Sequence, residues 1–118
     1  MSEEPAVIIA SETGIAIQSM RDIPEVLNAC FGSAGLLLTE QDLTPAFFDL
    51  HTGIAGELFQ KFTNYRLRLA IVLPDPKASG ARFSELAYEH RPHPTIRFFP
   101  TLPETRDWLR AAQDEAPQ

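Results

Sequence analysis

Apolar residues occur in short blocks along the chain, and their spacing alternates between the two-residue rhythm of strands and the three-to-four-residue rhythm of helices. Residues 6–10 are apolar and β-branched, and after Ser11, Glu12, Thr13 and Gly14 a second run, Ile15, Ala16, Ile17 and Gln18, alternates apolar with small or polar positions. That pattern predicts a β-hairpin. Asp22, with Glu25 three residues on and Pro24 in the first turn, predicts a helix start, and Ile23, Val26, Leu27, Cys30 and Phe31 carry its apolar stripe as far as Gly32. Leu36, Leu37 and Leu38 after Gly35 are continuously apolar, the mark of a strand buried on both faces, so this strand is expected to be central.

Thr44 followed by Pro45 is a second helix start, and the spacing predicts the longest helix over residues 45–64. Residues 67–73 read as another buried strand, closed by Pro74, Asp75 and Pro76. Phe83, Leu86, Ala87 and His90 mark a third helix ending at Arg91 and Pro92, and residues 95–99 a fifth strand. Thr101 and Glu104 form a capping box for a last helix carrying Leu102, Trp108 and Leu109, with 114–118 as a flexible tail. The predicted fold is α/β: a single domain with an N-terminal β-hairpin, then alternating helices and strands in a largely parallel five-stranded sheet with about four helices.

Composition narrows the function classes. The 118 residues suffice for one domain, and 10 Lys and Arg against 16 Asp and Glu leave a net charge of −6. A chain so acidic, without a basic stretch, is a poor ligand for nucleic acid. No apolar run is long enough to span a bilayer and no basic-then-apolar leader opens the sequence, so no membrane partner and a cytoplasmic location are expected. The single Cys30 lies in an apolar helical stripe and reads as a packed thiol.

On the predicted 45–64 helix, Phe47, Phe48, Leu50, Ile54, Ala55, Leu58, Phe59 and Phe62 fall on one broad side, the expected core. The opposite arc carries Asp49, Thr52, Gly53, Gly56, Glu57, Gln60, Lys61 and Asn64. Two helical glycines cost about 1 kcal/mol each relative to alanine. Either the helix begins only near Thr52, with Gly56 making room for a close loop, or the small residues form a face against which another protein's backbone can lie. Glu57 and Lys61 are an ordinary i to i+4 pair.

Signals for chemistry are sparse. His90 and His93 are three apart, but Pro92 and Pro94 interrupt any helix that would aim both rings at one ion, and His51 projects towards the apolar side; no metal is expected. Gly32, Ser33, Ala34 and Gly35 stand between a helix and a strand, the wrong order for a nucleophile elbow, and no glycine-rich phosphate loop is present. Asp49, Glu57 and Glu40 read as solvated carboxylates rather than an acid and base pair, so no catalytic residue and no cofactor are assigned. The expected function is a non-catalytic regulatory or interaction module that docks a protein partner, with room for a homodimer, through the arc of residues 49–64. The alternative is a small-molecule or anion-binding protein, or an enzyme, using the start of the same helix.

Two resemblances bear on this. Phe47, Phe48, Asp49 and Leu50, then Thr52 and Gly53, then Ala55, Gly56 and Glu57, then Gln60, Lys61 and Phe62, then Asn64, Tyr65 and Arg66, and finally Leu69, Ala70, Ile71 and Val72 resemble the hallmark segment of the bacterial family named domain of unknown function 4180. That name implies relatives but no activity. More distantly, the order hairpin, three αβ units and a final helix is similar to that of STAS domains, the anti-sigma factor antagonist fold. In those domains a hydroxyl at the start of the helix after the central strand is phosphorylated by a partner kinase. The likeness implies Thr52 as the matching position, with a phosphate beside Asp49 and Glu57 switching docking off.

Overall fold

The computed structural model describes residues 7–75, 78 and 80–114. Four parallel strands, β1 (Val7–Ile9), β2 (Gly35–Thr39), β3 (Leu69–Val72) and β4 (Ile96–Phe99), lie side by side in chain order. Six α-helices accompany them: α1 (Ala10–Thr13), α2 (Ile23–Cys30), α3 (Pro45–Phe48), α4 (Ile54–Asn64), α5 (Ala81–Glu89) and α6 (Leu102–Asp114). The class is α/β with a parallel sheet, as expected, but among the described residues with four strands rather than five and six helices rather than four. Ala6 and residues 115–118, which carried parts of the first strand and of the tail, lie outside the described residues.

The predicted hairpin does not form. Thr13 Oγ donates to the carbonyls of Ile9 and Ala10, winding residues 10–13 into one helical turn, and Gly14 closes it at φ 77°. The chain then crosses the carboxyl ends of the strands instead of returning beside β1. Ile17 is fully buried there and meets Leu43 in an isolated parallel bridge, its N–H donating to the Asp42 carbonyl at 3.1 Å. Of the STAS-like order, the three αβ units and the final helix are present and the opening hairpin is not.

Because the spatial order of the strands equals their chain order, crossovers of one hand bring α2, α4 and α5 to one face. The side-chain alternation agrees. Leu36, Leu38, Leu69, Ile71 and Ile96 join the helices in the main core, while Leu37, Ala70 and Val72 point to the other face and meet Leu109 of α6. Phe47, Phe48, Phe59, Phe83 and Phe98 pack on the helix side in mainly edge-to-face pairs with centroids 5.0–6.2 Å apart. β2 is buried throughout its apolar positions between β1 and β3, the central place its sequence predicts.

The continuous helix predicted over 45–64 is broken, and the side chains that break it are polar. Asp49 Oδ1 accepts from the His51 N–H at 3.0 Å, and Thr52 Oγ donates to the carbonyls of Ala46 (2.7 Å) and Asp49 (2.8 Å). Such local bonds compete with the helical ladder. A 3-10 turn over Leu50–Thr52 and Gly53 at φ 78° complete the break, and α4 starts at Ile54. The apolar positions still bury, with Phe47 and Leu58 inaccessible and Phe48 and Leu50 half-buried, because α3 and α4 turn the same stripe inward separately.

Candidate partner-docking face

The break redistributes the residues expected on one arc. Gly56, Glu57, Gln60, Lys61 and Asn64 lie on α4, the middle helix of its layer, and Gly56, Gln60 and Asn64 are exposed. Asp49 and Thr52 sit in the turn ahead of it, and Gly53 is half-buried, with Met20 3.1 Å from where a Cβ would stand. Asp49 and Thr52 therefore border the α4 face rather than belonging to it. Lys61 Nζ and Glu57 Oε2 are 3.7 Å apart and partly exposed, a pairing worth about 0.3–0.5 kcal/mol.

Gly56 differs from the other glycines with a structural reason to be glycine. Gly35 has φ 146°, and a Cβ there would lie 2.7 Å from Leu109 and 2.9 Å from the Arg68 carbonyl. Gly56 has ordinary helical geometry and open space where a Cβ would stand, so no close loop contact requires it. The fold bears roughly 0.5–1 kcal/mol of helix instability at this position without a packing return.

Two aromatic residues missed by periodicity lie at the far end of α4. Phe31, which follows the last residue of α2 at helical spacing, was expected inside, yet it is 50% exposed and stands edge to face with Tyr65, itself 55% exposed, at 5.4 Å. Arg66 follows at φ 57°, left-handed and not glycine. The Arg66 N–H reaches the Thr63 carbonyl (3.1 Å) and the Leu67 N–H the Phe62 carbonyl (2.8 Å), the double bond of a Schellman ending. An arginine there costs about 1–2 kcal/mol relative to glycine. A non-glycine in the usual glycine position was the available sequence signal.

The remaining candidates have structural duties. Thr52 Oγ also accepts from the Ile54 N–H at 3.3 Å, so one exposed hydroxyl ties α3 to α4. Asp22 does not cap α2 with its side chain; its carboxylate accepts from the N–H groups of Gln18 and Ser19, and Asp42 accepts from the N–H and hydroxyl of Thr39. His51 is exposed against Asp49 rather than turned to the apolar side, a consequence of the helix break. His90 and His93 stack with centroids 5.0 Å apart. His93 Nδ1 accepts from the N–H groups of Thr95 and Ile96, which requires the neutral ring, and His90 Nδ1 lies 2.8 Å from the Leu86 carbonyl. Burial first, then the charges of His90 and Arg97, hold the His93 ring below the usual histidine value. Among the described residues no three metal-ligating side chains come together. Cys30 is fully buried, and burial pushes its thiol up to about 11. Such a thiol is unreactive.

Parallel α/β sheets commonly place ligands where strand order reverses. Here the order never reverses. The carboxyl ends of the strands hold the two capping boxes, a cavity of about 380 Å³ between residues 14–18 and the first turn of α2, lined in part by Ile15, Ala16, Asp22, Glu25 and Val26, and a second of about 250 Å³ lined in part by Leu73, Pro74, Phe99 and Pro100. No helix among the described residues is long and apolar enough to cross a membrane.

This singly wound sheet, with its one covering helix on the second face, defines a small parallel α/β protein. The chain belongs to the family described as Domain of unknown function (DUF4180), which matches residues 2–109. No curated protein and no solved structure matches it.

Proposed function

We propose that the protein is a non-catalytic, cytoplasmic interaction module that docks a protein partner through the outer face of α4. The observation that carries this reading is Gly56: exposed, with helical geometry, unconstrained by any neighbour, and lying in line with Gln60 and Asn64. A bare helical position lets a partner's backbone approach closely, while the flanking amides supply hydrogen bonds. Gly56→Arg fills that space without touching the core. It is expected to abolish capture of the partner from cell lysate while the Tm stays within a few degrees of wild type; capture unchanged by Gly56→Arg overturns the reading.

A switch at Thr52 would act through the same face. A phosphoryl group on its hydroxyl displaces the hydrogen bonds to Ala46 and Asp49 and sets two further charges beside the Asp49 carboxylate, loosening the joint from which α4 starts. Thr52→Glu imitates the charge and is expected to weaken partner capture at least tenfold. If Thr52→Glu and wild type capture the partner equally, the switch is discarded and the docking face stands.

A further inference from the structure

The two ends of α2 differ in shape and charge. At its carboxyl end Phe31 and Tyr65 form an exposed edge-to-face pair, followed by the exposed Arg66, whose side chain makes no ion pair with a described residue. At its amino end lies the cavity of about 380 Å³, with Ile15 and Val26 among its apolar lining and Asp22 and Glu25 among its acids. Cavities of about 150 Å³ accept a benzene ring, so this one has room for an aromatic side chain. Its acids match an arginine beside that ring. Beyond α2, Arg68 precedes β3 at its amino end, while Glu40 and Asp49 follow β2 at its carboxyl end, where Arg21 and Arg82 are exposed cations.

We propose that the occupant of this cavity is a second copy of the chain, which inserts its Phe31 and Tyr65 pair and sets Arg66 against Asp22 and Glu25. Both halves of the contact belong to one sequence, at opposite ends of one helix, so the association is head to tail and leaves a free knob and a free cavity at the ends of every open assembly. Its attraction is between partly solvated opposite charges and weakens with salt. The contact uses neither Gly56 nor Gln60 and does not rest on the α4 reading.

The test uses sedimentation of the full chain at low and high salt over about a hundredfold range of concentration. Wild type is expected to show a mass that rises with concentration at low salt and returns to the monomer at high salt. Arg66→Gln removes the knob's charge and Glu25→Gln one of the cavity's acids; each alone is expected to weaken association at least tenfold. Mixed in equal amounts, the two variants are expected to form a dimer that grows no further, since each retains the half the other lacks. Arg66→Gly, which relaxes the left-handed turn, controls for misfolding and is expected to lose association while raising the Tm. Gly56→Arg is expected to associate as wild type does. A wild type that stays monomeric at low salt, single variants that associate as well as wild type, or a mixture that stays monomeric would each overturn the proposal.

Discussion

The two faces of the sheet are covered on different plans. On one, α2, α4 and α5 with the α3 turn enclose a core that contains six phenylalanines. On the other, α6 stands alone over four strands, and among the described apolar residues Leu37, Ala70, Val72 and Leu109 form the small buried cluster there. Strands about 4.8 Å apart make a sheet wider than a helix of about 10–12 Å diameter can cover. The shortfall shows at the edges, where Val7 and Ile9 on one side and Phe99 on the other are half-buried. Trp108 extends the cover, with the guanidinium carbons of Arg68 and Arg97 5.4 and 5.2 Å from its ring centroid. A strand order that never reverses thus gives one face a full layer and leaves the other to the chain's last helix.

This difference can be broken by mutation. Phe47→Ala, at the centre of the crowded face, is expected to cost about 3–5 kcal/mol in urea unfolding. Leu109→Ala on the thin face is expected to cost about 2–4 kcal/mol. Its signature should be selective, with the amides of α6 exchanging with solvent well before those of β2 and β3. Uniform exchange across both faces in Leu109→Ala would show instead that the sheet and α6 form one cooperative unit. Gly35→Ala drives a methyl group into Leu109 and the Arg68 carbonyl from a backbone geometry suited to glycine, and is expected to cost about 2–3 kcal/mol.

Smaller effects sharpen the picture at single sites. His93 must be neutral to receive the Thr95 and Ile96 N–H groups where β4 begins, and its native value lies below the ordinary 6.5. As pH falls the unfolded chain takes up this proton first. Stability is therefore complete above about pH 6.5, declines as pH drops below it, and levels off once the native ring also protonates. Urea midpoints measured on either side of that value should show the decline in wild type and a flatter response in His93→Asn, whose amide oxygen accepts without titrating. Gly56→Ala, the smallest change, is expected to raise stability by about 0.5–1 kcal/mol, read as an increase in Tm. A loss of stability there would reveal a packing role for Gly56.

Most elements were recoverable from local patterns, since a buried strand such as Leu36 to Leu38 and a helical stripe such as Ile23, Val26, Leu27 and Cys30 announce themselves within a few residues. The joint at residues 49–53 was half visible. Asp49, Thr52 and Gly53 are all turn-forming types, but the apolar stripe runs straight through them, and it is the bonds from Thr52 to Ala46 and Asp49 that select the break. The Gly56 face could be proposed from spacing because its exposure follows from helical geometry alone.

Partner choice between distant segments was decided at another level. Residues 7–9 are as able to pair with a following strand as with Gly35, Leu36 and Leu37, and nothing local distinguishes them; the parallel pairing prevails in a structure that leaves the strand half-buried beside α6 and sends Ile17 across to Leu43. The same holds for Phe31. Its spacing from Leu27 marks it for the core, but α2 ends at Cys30, and the ring emerges beside Tyr65 from an element more than thirty residues away. Hydrophobic period is a property of neighbours in sequence, whereas strand pairing and exposure depend on which remote surfaces compete for the same contact, and only the folded chain resolves that competition.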